Sequence, residues 1–380
     1  MKEEKVYKDN FSANFTKQDK FIQFMKEREA NSEWRKLKTK ELNFLSVENG
    51  HMQYILDYFR KRGKEELLED TIQNTGLLLK QEEELYPIRN CAIKTIFERA
   101  RISGNALMKV SKEVLANMLN ECMNVTNGIS LLKFCEGKIS AIHGGDPSEY
   151  AILEMPALFE ITQLYLEKHF KGYLFLEASY DHSFVSAWWE LPEDETLVRV
   201  YKKELEKMGL TVSDIKPALR LTTSDTGISG ANLFPMLYIN GGTKSIPLGG
   251  ALKLEHKRGA TLEEFEKRLS MIYAQYTKAI EGLERLLAIE LEYPVNTMIG
   301  VMKKIGIPKK TAFDVIEFFR EHQGNNPCTA HDVYYAMTEV IFLMQCRKAS
   351  GTKIAHMEEM IARALGVKWQ EFDIAGEQKW

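Results

Sequence analysis

A chain of 380 residues with 44% apolar and 28% charged residues has the material for one large core or two to three smaller ones. Its 51 Lys and Arg nearly cancel its 54 Asp and Glu, leaving a formal charge of −3, which excludes a protein that coats nucleic acid or an anionic membrane with its whole surface. Any basic surface must be local.

The five cysteines, Cys91, Cys122, Cys135, Cys328 and Cys346, stand far apart without a Cys-x-x-Cys pair, so they read as reduced thiols rather than a disulfide framework or a structural zinc site. Met1-Lys2-Glu3-Glu4-Lys5 is not followed by an apolar run, and no segment approaches the roughly 20 apolar residues that a bilayer span needs. The expectation is a cytoplasmic protein without membrane contact.

From about Phe11 to Leu79 apolar residues recur at helical spacing, as in Met52-Gln53-Tyr54-Ile55-Leu56-Asp57-Tyr58-Phe59, which predicts a helical N-terminal section over 1–85. Pro87 is expected to open a further helix through Phe97, ended by Ser103-Gly104. Leu131–Cys135 and Lys138–Ile142 flank Glu136-Gly137 and predict a β-hairpin; Tyr173–Tyr180 and Ser183–Leu191, parted by Asp181-His182, predict a second, with a helix over 154–169 between them. Ile215–Thr223, Leu233–Ile239 and Ser245–Leu254 are further strand candidates, completing an α+β core over 86–260 with a mixed or antiparallel sheet. Over 261–380 the pattern returns to helix, one long helix from Thr261 toward Ile289 and others starting near Pro308, Thr329 and Lys353. The predicted class is α+β, one integrated unit with a β-rich centre between two helical sections.

Five stretches in this order resemble the phage/plasmid-like protein family, a domain of unknown function found in phages, prophages and conjugative plasmids. They are Ala92 and Arg99 running into Ile102-Ser103-Gly104; Lys138 to His143 with Tyr150; Ser224-Asp225-Thr226-Gly227 followed by Asn240-Gly241; His256; and Thr329-Ala330-His331-Asp332 through Thr338-Glu339. The chain departs from the family pattern at Tyr238-Ile239, where a cysteine is expected, and at His143-Gly144-Gly145-Asp146, where Ser-Asp is usual. The likeness implies a fold and a genetic context, and no chemistry.

Asp225-Thr226-Gly227 has the letters of an aspartic-protease site, but such a site needs two carboxylates sharing a proton and only one copy is present. It reads as a turn, with Ser224 and Asp225 bonding the loop and Gly227 or Gly230 at positive φ; Asp225→Asn is then expected to leave folding nearly intact. Asn240-Gly241-Gly242-Thr243-Lys244-Ser245 lacks the Gly-Lys-Ser order and following helix of a phosphate loop and reads as a hairpin turn. The eight histidines show no metal-ligand spacing, so neither metal nor cofactor is expected; His143, beside two glycines, is the most site-like, though a turn histidine is the simpler reading.

Lys253, His256, Lys257 and Arg258 gather where a strand meets a helix and could hold a phosphate. Basic runs at Trp34–Lys40 and Arg60–Lys64 suit backbone contacts to nucleic acid or an ordinary charged surface. Met302 to Ile316 reads as helix, Gly-containing turn, helix, with Lys303, Lys304, Lys309 and Lys310 around the turn, the outline of a helix-turn-helix. Two functions follow as expectations: a non-enzymatic, DNA-associated replication or recombination accessory, with no catalytic residues; or a protein-interaction factor, such as a host-defence inhibitor or assembly protein, that binds a host or phage protein. A homo-oligomer is compatible with both.

Overall fold

The computed structural model describes residues 5–48, 52–192, 195–207, 215–239, 244–324 and 326–380. The opening section alternates short strands with helices: β1 (Ser12–Phe15), α1 (Gln18–Ala30), β2 (Ser32–Lys38), β3 (Asn43–Ser46), α2 (Met52–Arg60), α3 (Glu65–Gln73), β4 (Leu77–Gln81) and β5 (Glu84–Pro87). This corrects the purely helical reading of Phe11–Leu79. In β2, Ser32-Glu33-Trp34-Arg35-Lys36-Leu37-Lys38, exposed charges alternate with half-buried side chains, the make-up of an edge strand whose lysines discourage further pairing. Pro87 also departs from expectation: it ends β5 opposite Leu78, and the helix starts six residues later, at Ile93, after a 3-10 turn.

The middle follows as α4 (Ile93–Ala100), α5 (Lys112–Val125), β6 (Ile129–Cys135), β7 (Lys138–Gly144), α6 (Met155–His169), β8 (Leu174–Asp181), β9 (Val185–Glu190), α7 (Glu195–Lys207), β10 (Lys216–Thr223), β11 (Ala231–Ile239), β12 (Lys244–Pro247) and β13 (Leu252–Leu254). Both predicted hairpins form. At the first, Glu136 (φ 53°) and Gly137 (φ 75°) are both left-handed, the backbone that a two-residue hairpin loop demands. Asn240 and Gly241 lie outside the described residues; the strands on either side pair antiparallel, Ile239 opposite Lys244.

The closing section holds α8 (Leu262–Leu269), α9 (Ile272–Leu287), β14 (Glu290–Leu291), α10 (Pro294–Ile305), α11 (Lys309–Gln323), β15 (Cys328–Thr329), α12 (Ala330–Met337), α13 (Glu339–Cys346) and α14 (Gly351–Ala362). The fold is α+β. The long helix expected from Thr261 is two helices, because the Ser270 hydroxyl donates to the Lys267 carbonyl (2.7 Å) and the chain turns before Ile272.

Among the described residues every strand pair is antiparallel. The large sheet runs β1-β8-β9-β10-β11-β12, with β13 pairing β11 beside β12; two three-stranded sheets, β2-β6-β7 and β3-β4-β5, stand apart from it. The alternation of β10 shows how the large sheet is buried on both faces. Leu219 and Leu221 enter the main core with Trp189 and Phe265, while Ala218 lies with Trp188 and Phe234 on the opposite face. Arg220 shares that face, paired with Glu358 of α14 and 4.7 Å from the Trp188 ring centre. The sheet β2-β6-β7 shares a second core with α4, α5 and strands β3 and β4, around Leu132, Ile139, Ile96 and Leu79. Burying that much apolar surface twice over drives each layer to close.

Candidate functional site

Where the β2-β6-β7 layer meets the large sheet there is a cleft of about 720 Å³. One wall comes from α4 and its C-cap, with Lys94, Glu98, Arg99 and Arg101, and from the end of β7, with His143 and Gly144. The other wall carries Gly227 to Gly230, Asn232, Lys253, Glu255 to Lys257, and Thr352, His356 and Glu359 of α14. Four of the five stretches that carry the family resemblance meet here, through Arg99, His143 and Tyr150, Gly227, and His256. The fifth does not.

Lys133 and Asp225 rivet the two layers below the cleft. Lys133 stands in the apolar run of β6 and pairs with Asp225, the first residue of the turn after β10; Glu29 lies 3.5 Å from the same ammonium. Both partners are buried. Burial lowers the affinity of Lys133 for its proton, and the Asp225 and Glu29 carboxylates more than reverse that, so its pKa ends above the ordinary lysine value. Asp225 does lie in the turn, but its carboxylate bonds Lys133 of the other layer rather than the loop, so the expectation that Asp225→Asn leaves folding nearly intact is corrected. Ser224 does bond the turn, accepting from the Thr226 amide at 3.1 Å, and Gly227 takes φ 69°. Gly230 has no room for a β-carbon against the Leu254 carbonyl.

His143 is not in a turn. It lies near the end of β7, buried, with its ring stacked on Tyr150 (3.7 Å between centres, 6° between planes), and the His256 ring stacks on Tyr150 in turn (5.3 Å, 9°). Trp34, in one of the basic runs, lies 5.6 Å from the Tyr150 ring and beneath Lys133. The backbone places His256: the Ala151 amide donates to the His256 carbonyl (2.9 Å), and the amides of Arg258 and Gly259 donate to Ser148 and Pro147.

Each imidazole is held in one tautomer. His143 Nε2 is 2.7 Å from the Asp225 carbonyl, which can only accept, so Nε2 carries the proton and Nδ1 a lone pair. His256 Nδ1 faces the Ala151 carbonyl (3.2 Å), leaving Nε2 to accept from the Thr223 hydroxyl (3.4 Å). Burial pushes His143 down to about 4 and lowers His256 as well, so both rings are neutral at pH 7. The Tyr150 hydroxyl, 3.4 Å from the Asp225 carbonyl, is pushed up by burial and keeps its proton.

The cations of the cleft are partly spent within its walls. Arg99 is buried and bonds Ser130, Thr39 and the carbonyls of Asn127 and Ile129, with Glu149 at 3.7 Å. Lys253 pairs with Glu359 (2.7 Å), and Lys94 reaches the Gly227 carbonyl (2.9 Å) with Glu98 at 3.8 Å. Arg101 and Lys257 are exposed and form no ion pair among the described residues.

Of the expected nucleic-acid contacts, Lys253, His256 and Lys257 line this cleft, and Arg258, left-handed at φ 57°, stands outside its lining. Lys303, Lys304, Lys309 and Lys310 form a separate exposed group where α10 ends in left-handed Gly306 and α11 begins, so the helix-turn-helix outline is present; the Lys303 ammonium donates to the Lys379 carbonyl (2.7 Å). Thr329 and Asp332 form a capping box at the start of α12, and Thr338, fully buried, bonds Tyr335 and separates α12 from Glu339, the first residue of α13. These four serve helix ends rather than the cleft. Among the described residues no group of three or more His, Cys, Asp or Glu side chains is placed to hold a metal ion. Sequence reasoning missed Lys133 and Arg101; the available signal was the lysine inside Leu131-Leu132-Lys133-Phe134-Cys135, since a cation in a buried strand must find a counter-charge.

Comparison with protein-family models, curated proteins and solved structures gives no match. No helix among the described residues is long and apolar enough to cross a membrane.

Proposed function

We propose that this chain is a non-enzymatic, DNA-associated protein of the phage/plasmid-like family, a replication or recombination accessory that holds a single strand in the cleft between its two layers. The observation that carries the reading is the convergence of four of the resemblance-bearing stretches on one cleft whose lining includes Arg101 and Lys257, exposed and without an ion pair among the described residues. Four carboxylates, Glu98, Glu149, Glu255 and Glu359, share the lining, so the cleft lacks the broad basic face on which a duplex draws. A short stretch of unpaired backbone with its bases turned inward fits that balance better, as charge and ring surfaces both contribute to single-strand binding.

The test is a titration of labelled single- and double-stranded DNA at about 50 and about 200 mM salt, where phosphate contacts weaken steeply with salt. Single-strand binding that falls with salt supports the reading; no binding at the lower salt removes it. Phe313 and Phe318 of α11 and Phe342 of α13 are exposed, which favours the protein-interaction factor as the second reading. Loss of a captured host or phage protein on changing these three to Ser, with DNA binding absent throughout, would select it.

A further inference from the structure

The resting state of His143 is unusual for a buried imidazole. Its Nε2 proton is given to a carbonyl, and its Nδ1 has no partner among the described residues, yet Nδ1 is not among the sealed, unsatisfied polar atoms. The ring lines the cleft, so Nδ1 is open to it. A buried acceptor without a donor is costly unless water or a ligand supplies one. Its surroundings hold it in place: Tyr150 on one face, Trp34 at 6.1 Å, and Gly227, where an added β-carbon would come within 3.7 Å of the ring.

A fixed, neutral acceptor selects ligand groups that carry N–H or O–H. A backbone phosphodiester has no such proton to offer at neutral pH and belongs with the rim cations instead. Among the described residues no third donor accompanies His143 and His256, which argues against a metal ion at that atom. The remaining chemistry on a single strand that presents N–H donors is the base.

We infer that His143 Nδ1 reads an unpaired base inside the cleft, accepting a hydrogen bond from a ring or exocyclic N–H while the strand's phosphates lie against Arg101 and Lys257. The inference rests on the single-strand reading above and adds recognition to it. Burial keeps His143 near 4, with Asp225, His256 and Lys94 the charged or titratable groups that act on it, so the acceptor is available throughout the neutral range.

The experiment compares the four homopolymeric DNA oligonucleotides with an abasic strand of the same length, which keeps every phosphate and removes every base, by anisotropy on the full chain. At least one homopolymer is expected to bind about tenfold more tightly than the abasic strand. His143→Phe, which keeps a ring against Tyr150 but removes the acceptor together with the Nε2 donor to the Asp225 carbonyl, should shrink that ratio by about threefold to tenfold, the range of one hydrogen bond. Equal binding of abasic and base-bearing strands overturns the inference while the salt-dependent single-strand reading stands. So does a folded His143→Phe that keeps the full ratio. Loss of all binding at low salt fails the underlying reading instead. Should His143→Phe not fold, nitrogen NMR of the histidine-labelled native chain decides: the unprotonated Nδ1 resonance of His143 moves on saturation with the preferred strand and not with the abasic one, and an unmoved resonance sinks the idea.

Discussion

The lysine turn between α10 and α11 and the cleft between the sheets both gather cations, and they are built in opposite ways. Lys303, Lys304, Lys309 and Lys310 come from one short stretch, all exposed, on helix ends that would form without them. The groups around the cleft come from β6, β7, α4, the turn after β10, the turn after β13 and α14, and the central ones are buried and committed to each other. A local cluster of charge is a property of its own segment and can be edited without consequence for the fold. The cleft is a property of how layers meet, so the same residues that shape it also hold the molecule together.

The largest expected separation between the two regions is in stability. Asp225→Asn leaves Lys133 buried with Glu29 as its remaining acid, and should cost about 3 to 5 kcal/mol, against about 0.5 kcal/mol or less for changing all four turn lysines to Gln. Urea unfolding measures both; equal midpoints would erase the distinction.

Acid should also act on the cleft and spare the turn. His143 is pushed down to about 4 in the folded chain by burial, while an unfolded histidine sits near 6.5, so below that value the unfolded chain binds more protons. Its contribution is therefore complete above about pH 6.5 and lost as pH falls toward 4, at roughly 1 kcal/mol per pH unit. Buried His331, also pushed to about 4, adds a slope of the same sign. Urea midpoints between pH 8 and 5 that stay flat would show that both rings are protonated without penalty.

Binding gives a smaller contrast. Changing Arg101 and Lys257 together to Ala should lower the slope of log affinity for single-stranded DNA against log salt by about 1 to 1.5, with the four-lysine variant unchanged. The reverse ranking would move the interface to the helix-turn-helix. Smallest of all, Gly227→Ala should cost about 1 kcal/mol through its φ of 69° alone, because the space beside it is open to 3.7 Å. A loss several times larger in a thermal melt would mean that the turn is packed more tightly than the cleft geometry indicates.

The parts of the fold that declare themselves locally were legible. Glu136-Gly137 and Asp181-His182 marked their hairpins, and the helix expected near Thr329 starts at Ala330. β2 was not legible, because its exposed positions are written in Glu33, Lys36 and Lys38 and its alternation competes with a helical spacing of the same residues. The split between α8 and α9 was hidden for the converse reason: apolar spacing runs on across Ser270 while one hydroxyl ends the helix. At the site, the turn at Ser224–Gly227 could be read, but the partner that gives Asp225 its importance lies 92 residues earlier. Separation of that size is invisible to spacing rules.

The buried ammonium of Lys138 illustrates what such distance means for a growing polypeptide. It pairs with Asp70 and with Asp9, 129 residues before it, while Arg89 fixes the carbonyl of Tyr7 at 2.9 Å. The segment that carries Asp9 continues into β1, whose sheet partner β8 comes later still. During synthesis Asp70 and Arg89 emerge early enough to hold this stretch, but β1 has no sheet partner until β8 has left the ribosome, so completing the large sheet belongs among the late events of folding, and a slow final step is the kinetic signature to look for.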